Sequence, residues 1–370
     1  IESSYFIVDS KYLCGMNIEI IYISIKYFSQ RGKFMKKFYF FILIAPLIFL
    51  GLISCNRNSN EVVVYTSVDQ VFSEPVLKMF EQNTGIKVKA IFDTEETKST
   101  GVLNRLITEK DNPQCDVFWS GDPMRADVLK QKGITEPYNS PASVGINPVF
   151  IDKDFQWIGF SSRARILLVN TDLVSAEDIP QSILDLTDSK YEGKVAIANP
   201  LFGTTSFHIA ALFAELGNEK AKQFLSDLKR NKVVIASSNG DVKKKVAIGE
   251  VAMGLTDTDD GNEAIKEGAP VKMVFLDQNG FGNLIVPNTV SLIKNSLNQE
   301  NGKKLIDYLL SVEVEKMLAE SCAQMPLHKN VPVPNSVPSL DNMVAMKVNY
   351  GAVAQQSDSI KEFIKQWLEQ

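Results

Sequence analysis

In the second half of the chain the stretch Leu255-Thr256-Asp257-Thr258-Asp259-Asp260 brings three carboxylates together. Hard cations such as Fe³⁺ prefer oxygen donors, and closely spaced acids can supply them. The same residues would also suit the start of a helix running through Glu263 and Ala264, because Asp and Thr are favoured caps and acids suit a first turn. A second group, Phe202-Gly203-Thr204-Thr205-Ser206, ends a strand-to-loop passage and opens a helix. Its backbone N–H groups and hydroxyls could receive phosphate, phosphonate or carbonate. Asn239, in Ser237-Ser238-Asn239-Gly240, could donate from a neighbouring loop. Arg163 and Arg165 complete the set. Either could clamp a carboxylate or phosphate at two points, or simply neutralise nearby acids.

Other chemistries find no support. The chain has two histidines, His208 and His328, and no CxxC pair, which disfavours a Cys/His zinc site. His208 falls in an expected helix and reads as a packed core residue, whereas His328, in Met325-Pro326-Leu327-His328, reads as a surface residue. No Ser/His/Asp set, GxSxG, HExxH or Walker sequence is present. Paired acids could serve glycoside hydrolysis, but no aromatic sugar trough accompanies them, so a secreted hydrolase is the remote alternative. A net charge of −5, without a basic stripe interleaved with aromatics, argues against nucleic acid as a partner.

The elements that must position these residues alternate strand and helix. Val62-Val63-Val64-Tyr65 is an apolar β-branched run typical of a buried parallel strand. Ser73-Glu74-Pro75 then offers a cap with Pro in the first turn of a helix that stops at Gly85. Ile86 to Ile91 alternates as a half-buried strand, Thr100 to Glu109 forms a helix, and Asp116-Val117-Phe118-Trp119 is a third strand. A parallel sheet so built binds ligands at the carboxyl ends of its strands, which puts Thr66, Ser67, Trp119 and Ser120 at the cleft. Trp119, Phe202 and Trp157 are expected as core or cleft wall. A second block begins near Ile166-Leu167-Leu168-Val169 and includes strands at Lys194–Ile197, Val233–Ile235 and Val251–Leu255, with a helix from Ser206 to Leu216. Another strand, Pro287 to Ile293, is followed by helices Gly302 to Leu310 and Val312 to Ala319. Arg163 and Arg165 lie in the crossover between the blocks.

The N-terminal part carries an export pattern: Met35-Lys36-Lys37, an apolar stretch from Phe38 to Ile53, then Ser54-Cys55. These are the features of a signal peptide, and Leu52-Ile53-Ser54-Cys55 is similar to a bacterial lipobox, in which Cys55 receives lipid. Residues 1–34 are expected to be non-native upstream sequence, 35–54 the signal peptide and 55–60 a lipidated tether. The roughly 315 residues that follow suffice for two domains. Cys115 and Cys322 could bridge or stay as buried thiols.

Four stretches occur in one order: Val64-Tyr65-Thr66-Ser67, Asn112 to Trp119, Ile197 to Thr205, and Tyr308-Leu309-Leu310-Ser311. With them the chain from Glu61 to Pro338 resembles the ferric-iron-binding class of periplasmic ABC-transporter solute-binding proteins. The resemblance implies an α/β, two-lobe periplasmic-binding-protein fold of type II with crossing hinge strands. Lobe 1 would comprise residues 61–160 plus about 285–340, and lobe 2 residues 161–284 plus about 341–370. It implies a non-enzymatic receptor, expected to act as a monomer, held on the periplasmic face of the envelope by its lipid. Its partners would be an ABC permease and ATPase, its cargo ferric iron, and it would hold no covalent cofactor besides the lipid. In the family, iron is held by a His, a Glu, two adjacent Tyr and a synergistic anion. Here Asp69 stands about where that His would be, Glu95 matches the Glu, and Asp257 and Asp259 lie near the positions of the tyrosines, which are absent. The segment Gly203, Thr204 and Thr205 corresponds to the anion site, to which Asn239 and Arg163 are added as candidates from their own chemistry. A receptor for a small organic anion, such as a phosphonate or sugar phosphate, is the alternative that the missing tyrosines favour.

Overall fold

Residues 60–93 and 100–369 are described by this computed structural model; Cys55, the export segment and Glu95 lie outside the described residues. The first apolar run forms β1 (Glu61–Thr66), followed by α1 (Gln70–Thr84), β2 (Lys87–Phe92), α2 (Gly101–Thr108) and β3 (Val117–Ser120). Strands β2 and β3 flank β1, both parallel to it. Val62, Val64, Val117 and Trp119 therefore face one buried cluster, together with Val76, Leu77 and Phe80 of α1. That helix starts earlier than Ser73 predicts. Asp69 occupies the cap position, and Ser73 is buried, its hydroxyl donating to the carbonyls of Val68 at 3.2 Å and Asp69 at 3.0 Å. The serine thus serves the second turn rather than the cap.

Next come α3 (Pro123–Gln131), the short β4 (Thr135–Glu136) and β5 (Ile158–Asn170). Strand β5 is buried along its whole length, although only its second half, from Ile166, reads as a strand in the sequence. The chain continues through β6 (Val195–Ala198), α4 (Gly203–Leu216), α5 (Asn218–Arg230), β7 (Val234–Ala236), α6 (Asn239–Ala247), β8 (Met253–Asp257), α7 (Thr258–Lys266) and β9 (Val271–Val274). It closes with β10 (Ile285–Ile293), α8 (Gln299–Leu309), α9 (Val312–Cys322) and α10 (Tyr350–Glu369).

The strand order β2-β1-β3-β10-β5-β8-β6-β7 shows what joins the two halves. β10 runs antiparallel to both β3 and the first part of β5, while the second part of β5 pairs antiparallel with β8 and β9. The long buried strand β5 therefore belongs to both halves, with β10 beside it at the crossing. Gly254 lets α6 lie close on β8: a Cβ there would come within 2.4 Å of Val242 Cγ1.

An irregularity interrupts the β5–β10 pairing between Pro287 and Asn288. Opposite it, Ser161 takes a left-handed backbone, φ 42°. Its N–H donates to Glu315 Oε1 at 2.7 Å, and its carbonyl accepts from Asn288 Nδ2 at 2.7 Å. Fully buried Glu315 also accepts from the backbone N–H groups of Leu327 and His328. His328 Nδ1 lies 2.9 Å from Glu315 Oε2, and its side chain is only 8% exposed. His328 is thus no surface residue, as the loop sequence suggested; the need of a buried carboxylate for donors draws it inward. Helices α8 and α9 pack on the β1 side through Leu305, Leu309, Val314 and Leu318. Tyr350 of α10 meets Trp157 edge to face and Phe207 at a tilt in the other large cluster. Cys115 and Cys322 are free, buried thiols.

Candidate functional site

The carboxyl ends of β6 and β8 and the strand ends of the opposite half meet at a cavity of about 380 Å³. Helix α4 opens onto it. Phe202, extended at the cap position, offers no side-chain bond to the first turn, and Gly203 follows with φ 55°, a left-handed conformation that costs glycine least. Free N–H groups of a first turn carry partial positive charge toward the cavity.

Beneath this turn lies a buried polar lattice. Register places Arg165 of β5 directly across from Asp257 of β8. Arg165 Nη1 meets Asp257 Oδ1 at 2.8 Å, and both side chains are almost wholly buried. Asp257 Oδ2 accepts from Thr204 Oγ1 at 2.7 Å and from Asn239 Nδ2 at 3.1 Å. Burial alone would raise its pKa, but the charges of Arg165 and Arg163, with the Thr204 and Arg165 hydrogen bonds, hold Asp257 below the ordinary carboxylate value. Although Asp257 stands at the cap position of α7, its side chain makes no cap bond. Its job is to tie β5, β8, α4 and α6 together.

Asp259 and Asp260 occupy the first turn of α7. One oxygen from each of Asp257, Asp259 and Asp260 can be chosen so that all lie within 4.8 Å of one another. Asp260 accepts from Thr256 Oγ1 at 2.6 Å. Asp259 has Arg163 Nη1 at 3.7 Å, a distance of attraction rather than close pairing. Burial pushes Asp259 up to about 8, against Arg163, with Asp260, Asp257 and Asp69 adding repulsion. Arg163 is 7% exposed, its Nη2 donates to the Gly121 carbonyl, and its Nε has no hydrogen-bond partner among the described residues. The Gly121 N–H in turn donates to Ser67 Oγ at 2.9 Å. A cluster short of positive charge, next to a guanidinium not fully used, can take a hard cation, an anion, or both.

Of the residues singled out from sequence, Ser67, Asp69, Arg163, Gly203, Thr204, Thr205, Asn239, Asp257 and Asp259 all line this cavity. Thr66, Trp119 and Ser120 do not. Each is 0% exposed: Thr66 ends β1 between β2 and β3, β3 is buried on both faces, and Trp119 packs against Phe160 in the core. Glu95 lies outside the described residues. The two arginines divide their tasks: Arg165 is committed to the lattice, and Arg163 faces the cavity. Sequence reasoning passed over Lys243 and the binding side of Glu263, which also line it and pair with each other. Helical spacing carried that signal, since Lys243 lies four residues beyond Asn239 and Glu263 four beyond Asp259, one turn along the same faces. Val71 and Phe72 of α1 add an apolar edge.

Comparison with known proteins agrees with this architecture. A model of the bacterial extracellular solute-binding protein family matches residues 112–351. Iron uptake protein A1 of Synechocystis sp. is 28% identical over 292 residues, 75% of this chain and 79% of that protein. The structure of iron-bound HitA from Pseudomonas aeruginosa superposes with a TM-score of 0.75 at 20% identity, covering 82% of this chain and 99% of that one. The periplasmic binding protein AfuA from Actinobacillus pleuropneumoniae, with fructose-6-phosphate bound, gives a TM-score of 0.71 at 25% identity, covering 84% of this chain and 98% of that one. The fold is that of the periplasmic binding proteins, with β5 and β10 as the crossing strands.

Proposed function

The chain belongs to the bacterial extracellular solute-binding protein family, and from that premise we propose that it is the extracytoplasmic receptor of an ABC importer that captures ferric iron. The observation that carries this reading is the carboxylate cluster of Asp257, Asp259 and Asp260 on one wall of the interlobe cavity. Burial first, with repulsion from Asp260, Asp257 and Asp69, leaves Asp259 holding a proton near neutral pH, and a multivalent cation would replace that proton with a stronger partner. Asp259 and Asp260 would be the first donors, because Asp257 already serves Arg165, Thr204 and Asn239. Asp69 would approach from the opposite wall. Oxygen donors without thiols or imidazoles suit a hard cation.

The α4 first turn, with Gly203, Thr204 and Thr205, would hold an accompanying anion, helped by Arg163. This corner also favours a second reading, in which the cargo is a small phosphorylated or phosphonate anion. The Nε of Arg163, without a partner among the described residues, and the start of α4, without a side-chain cap, support it, as does the sugar phosphate bound to AfuA. In both readings the two lobes would close about β5 and β10, Cys55 would anchor the receptor through lipid, and a separate permease and ATPase would accept the cargo.

The test is elemental analysis and native mass spectrometry of the exported chain from Arg57 onward, before and after dialysis against citrate. Near-stoichiometric iron that citrate strips, and that is absent from the D259A variant, is the expected result. A metal-free protein that retains a small phosphorus-containing mass would overturn the iron reading in favour of the anion.

A further inference from the structure

Arg165 has three guanidinium nitrogens, and the lattice under the cavity uses all of them. Nη1 reaches Asp257 Oδ1 at 2.8 Å, Thr204 Oγ1 at 3.1 Å and Asn239 Oδ1 at 3.3 Å, and Nη2 reaches Thr205 Oγ1 at 3.4 Å. The remaining nitrogen, Nε, donates to His208 Nδ1 at 3.3 Å. His208 sits on α4 one turn after Thr204, 6% exposed, and does not line the cargo cavity. A guanidinium is planar, so a bond at Nε on one edge sets the direction of both terminal nitrogens.

We propose that His208 is a positioning residue of the cargo site: by accepting from Arg165 Nε it aims the guanidinium at Thr204, Thr205 and Asn239, and so fixes the hydroxyls and amide that face the cargo. The ring can do this only as a neutral acceptor. Burial first, then the charge of Arg165, pushes His208 down to about 3, so Nδ1 keeps its lone pair and the proton resides on Nε2. A protonated ring would place two donors face to face. The arrangement also explains a buried histidine on a face that turns from the polar Thr204 and Thr205 to the apolar Ala211 and Leu212. An apolar residue would fill the space yet leave a buried charged N–H without an acceptor, which is costly.

The inference rests on the receptor reading, and two variants separate it from a packing role. His208→Asn places an acceptor oxygen near the position of Nδ1 but leaves a void; His208→Phe fills the volume without an acceptor. Affinities for ferric nitrilotriacetate and for inorganic phosphate are measured by calorimetry, with thermal melting alongside. The expected result is that His208→Phe weakens the better-binding probe roughly tenfold or more, whereas His208→Asn stays within about threefold of wild type despite a lower melting temperature. Equal affinities in all three proteins, or losses that follow the melting temperature, would overturn the proposal. The ¹⁵N resonance of Arg165 Nε gives a readout without cargo. It should be protected from exchange in wild type and His208→Asn and lose that protection in His208→Phe. Wild type that binds neither probe would sink the iron reading and exclude inorganic phosphate as cargo, and the resonance would still decide the role of His208.

Discussion

The carboxylate wall makes a prediction about stability that runs opposite to function. Asp259 is raised from an ordinary value of 3.8 to about 8 in the folded protein, with its side chain 12% exposed. Between pH 5 and pH 8 the folded state therefore keeps a proton that the unfolded chain has already lost. Stability must fall as pH rises through this window, by about 1.4 kcal/mol per pH unit for one proton, or about 4 kcal/mol across three units. Asp259→Asn abolishes the titration and keeps the shape. Cargo-free wild type should lose roughly 6 °C more than the variant when melting is compared at pH 5 and pH 8, on about 1.5 °C per kcal/mol from an unfolding entropy of about 2.1 cal/mol/K per residue over a body of roughly 310 residues. At pH 8 the variant should be the more stable protein although it has lost cargo. Scanning fluorimetry of both, after citrate dialysis, reads this difference directly. Wild type and variant melting temperatures that decline in parallel would refute the claim that folded Asp259 keeps its proton through this window.

Asp257→Asn should behave in the opposite way, destabilising by about 3 to 5 kcal/mol at neutral pH, since Arg165 is left buried without its counter-charge; urea unfolding measures it. Gly203→Ala should cost about 1 kcal/mol, because φ 55° is left-handed while no atom within 4 Å opposes a Cβ; thermal melting compared with wild type checks it. His328 is raised above its ordinary value, first by its hydrogen bond to Glu315, so its contribution is complete below about pH 6.5 and is lost as pH rises through the folded pKa. His328→Gln should therefore destabilise more at pH 6 than at pH 9, by about 1 to 2 kcal/mol in urea unfolding.

Some of the fold was legible because apolar runs leave a strand little choice. Val62 to Tyr65 and Val117 to Trp119 became β1 and β3 where the pattern put them, and Gly85 ended α1 with φ 69°. The first half of β5 was hidden because Ser161, Ser162, Arg163 and Arg165 look like a loop. Each finds a partner far away in sequence: Ser161 at Glu315, Ser162 at Met325, Arg163 at Gly121 and Arg165 at Asp257. Long-range satisfaction of buried polar groups leaves no local trace. His328 was misjudged for the same reason, since only the fold brings Glu315 to it.

At the site, the helix-opening pattern of Gly203, Thr204 and Thr205 could be read directly, because strand-to-helix turns at the carboxyl ends of a sheet face its ligand crevice. The division of labour between Arg163 and Arg165 could not. Side chains alternate along a strand with a period of two, so both arginines project from the same face of β5 and sequence gives no reason to rank them. Register ranks them: Arg165 stands opposite Asp257 on β8, whereas Arg163 pairs with Val286 of β10, which offers no charge. One arginine is thereby consumed by the framework, and the other is left for the cavity with Asp259 at only 3.7 Å. Asp257 and Asp259, two residues apart, are sorted by the same pairing into a buried strut and a cargo-facing acid. A slip of one residue between β5 and β8 would turn both arginines to the other face, so the chemistry of the cavity is set by strand pairing as much as by which residues the chain contains.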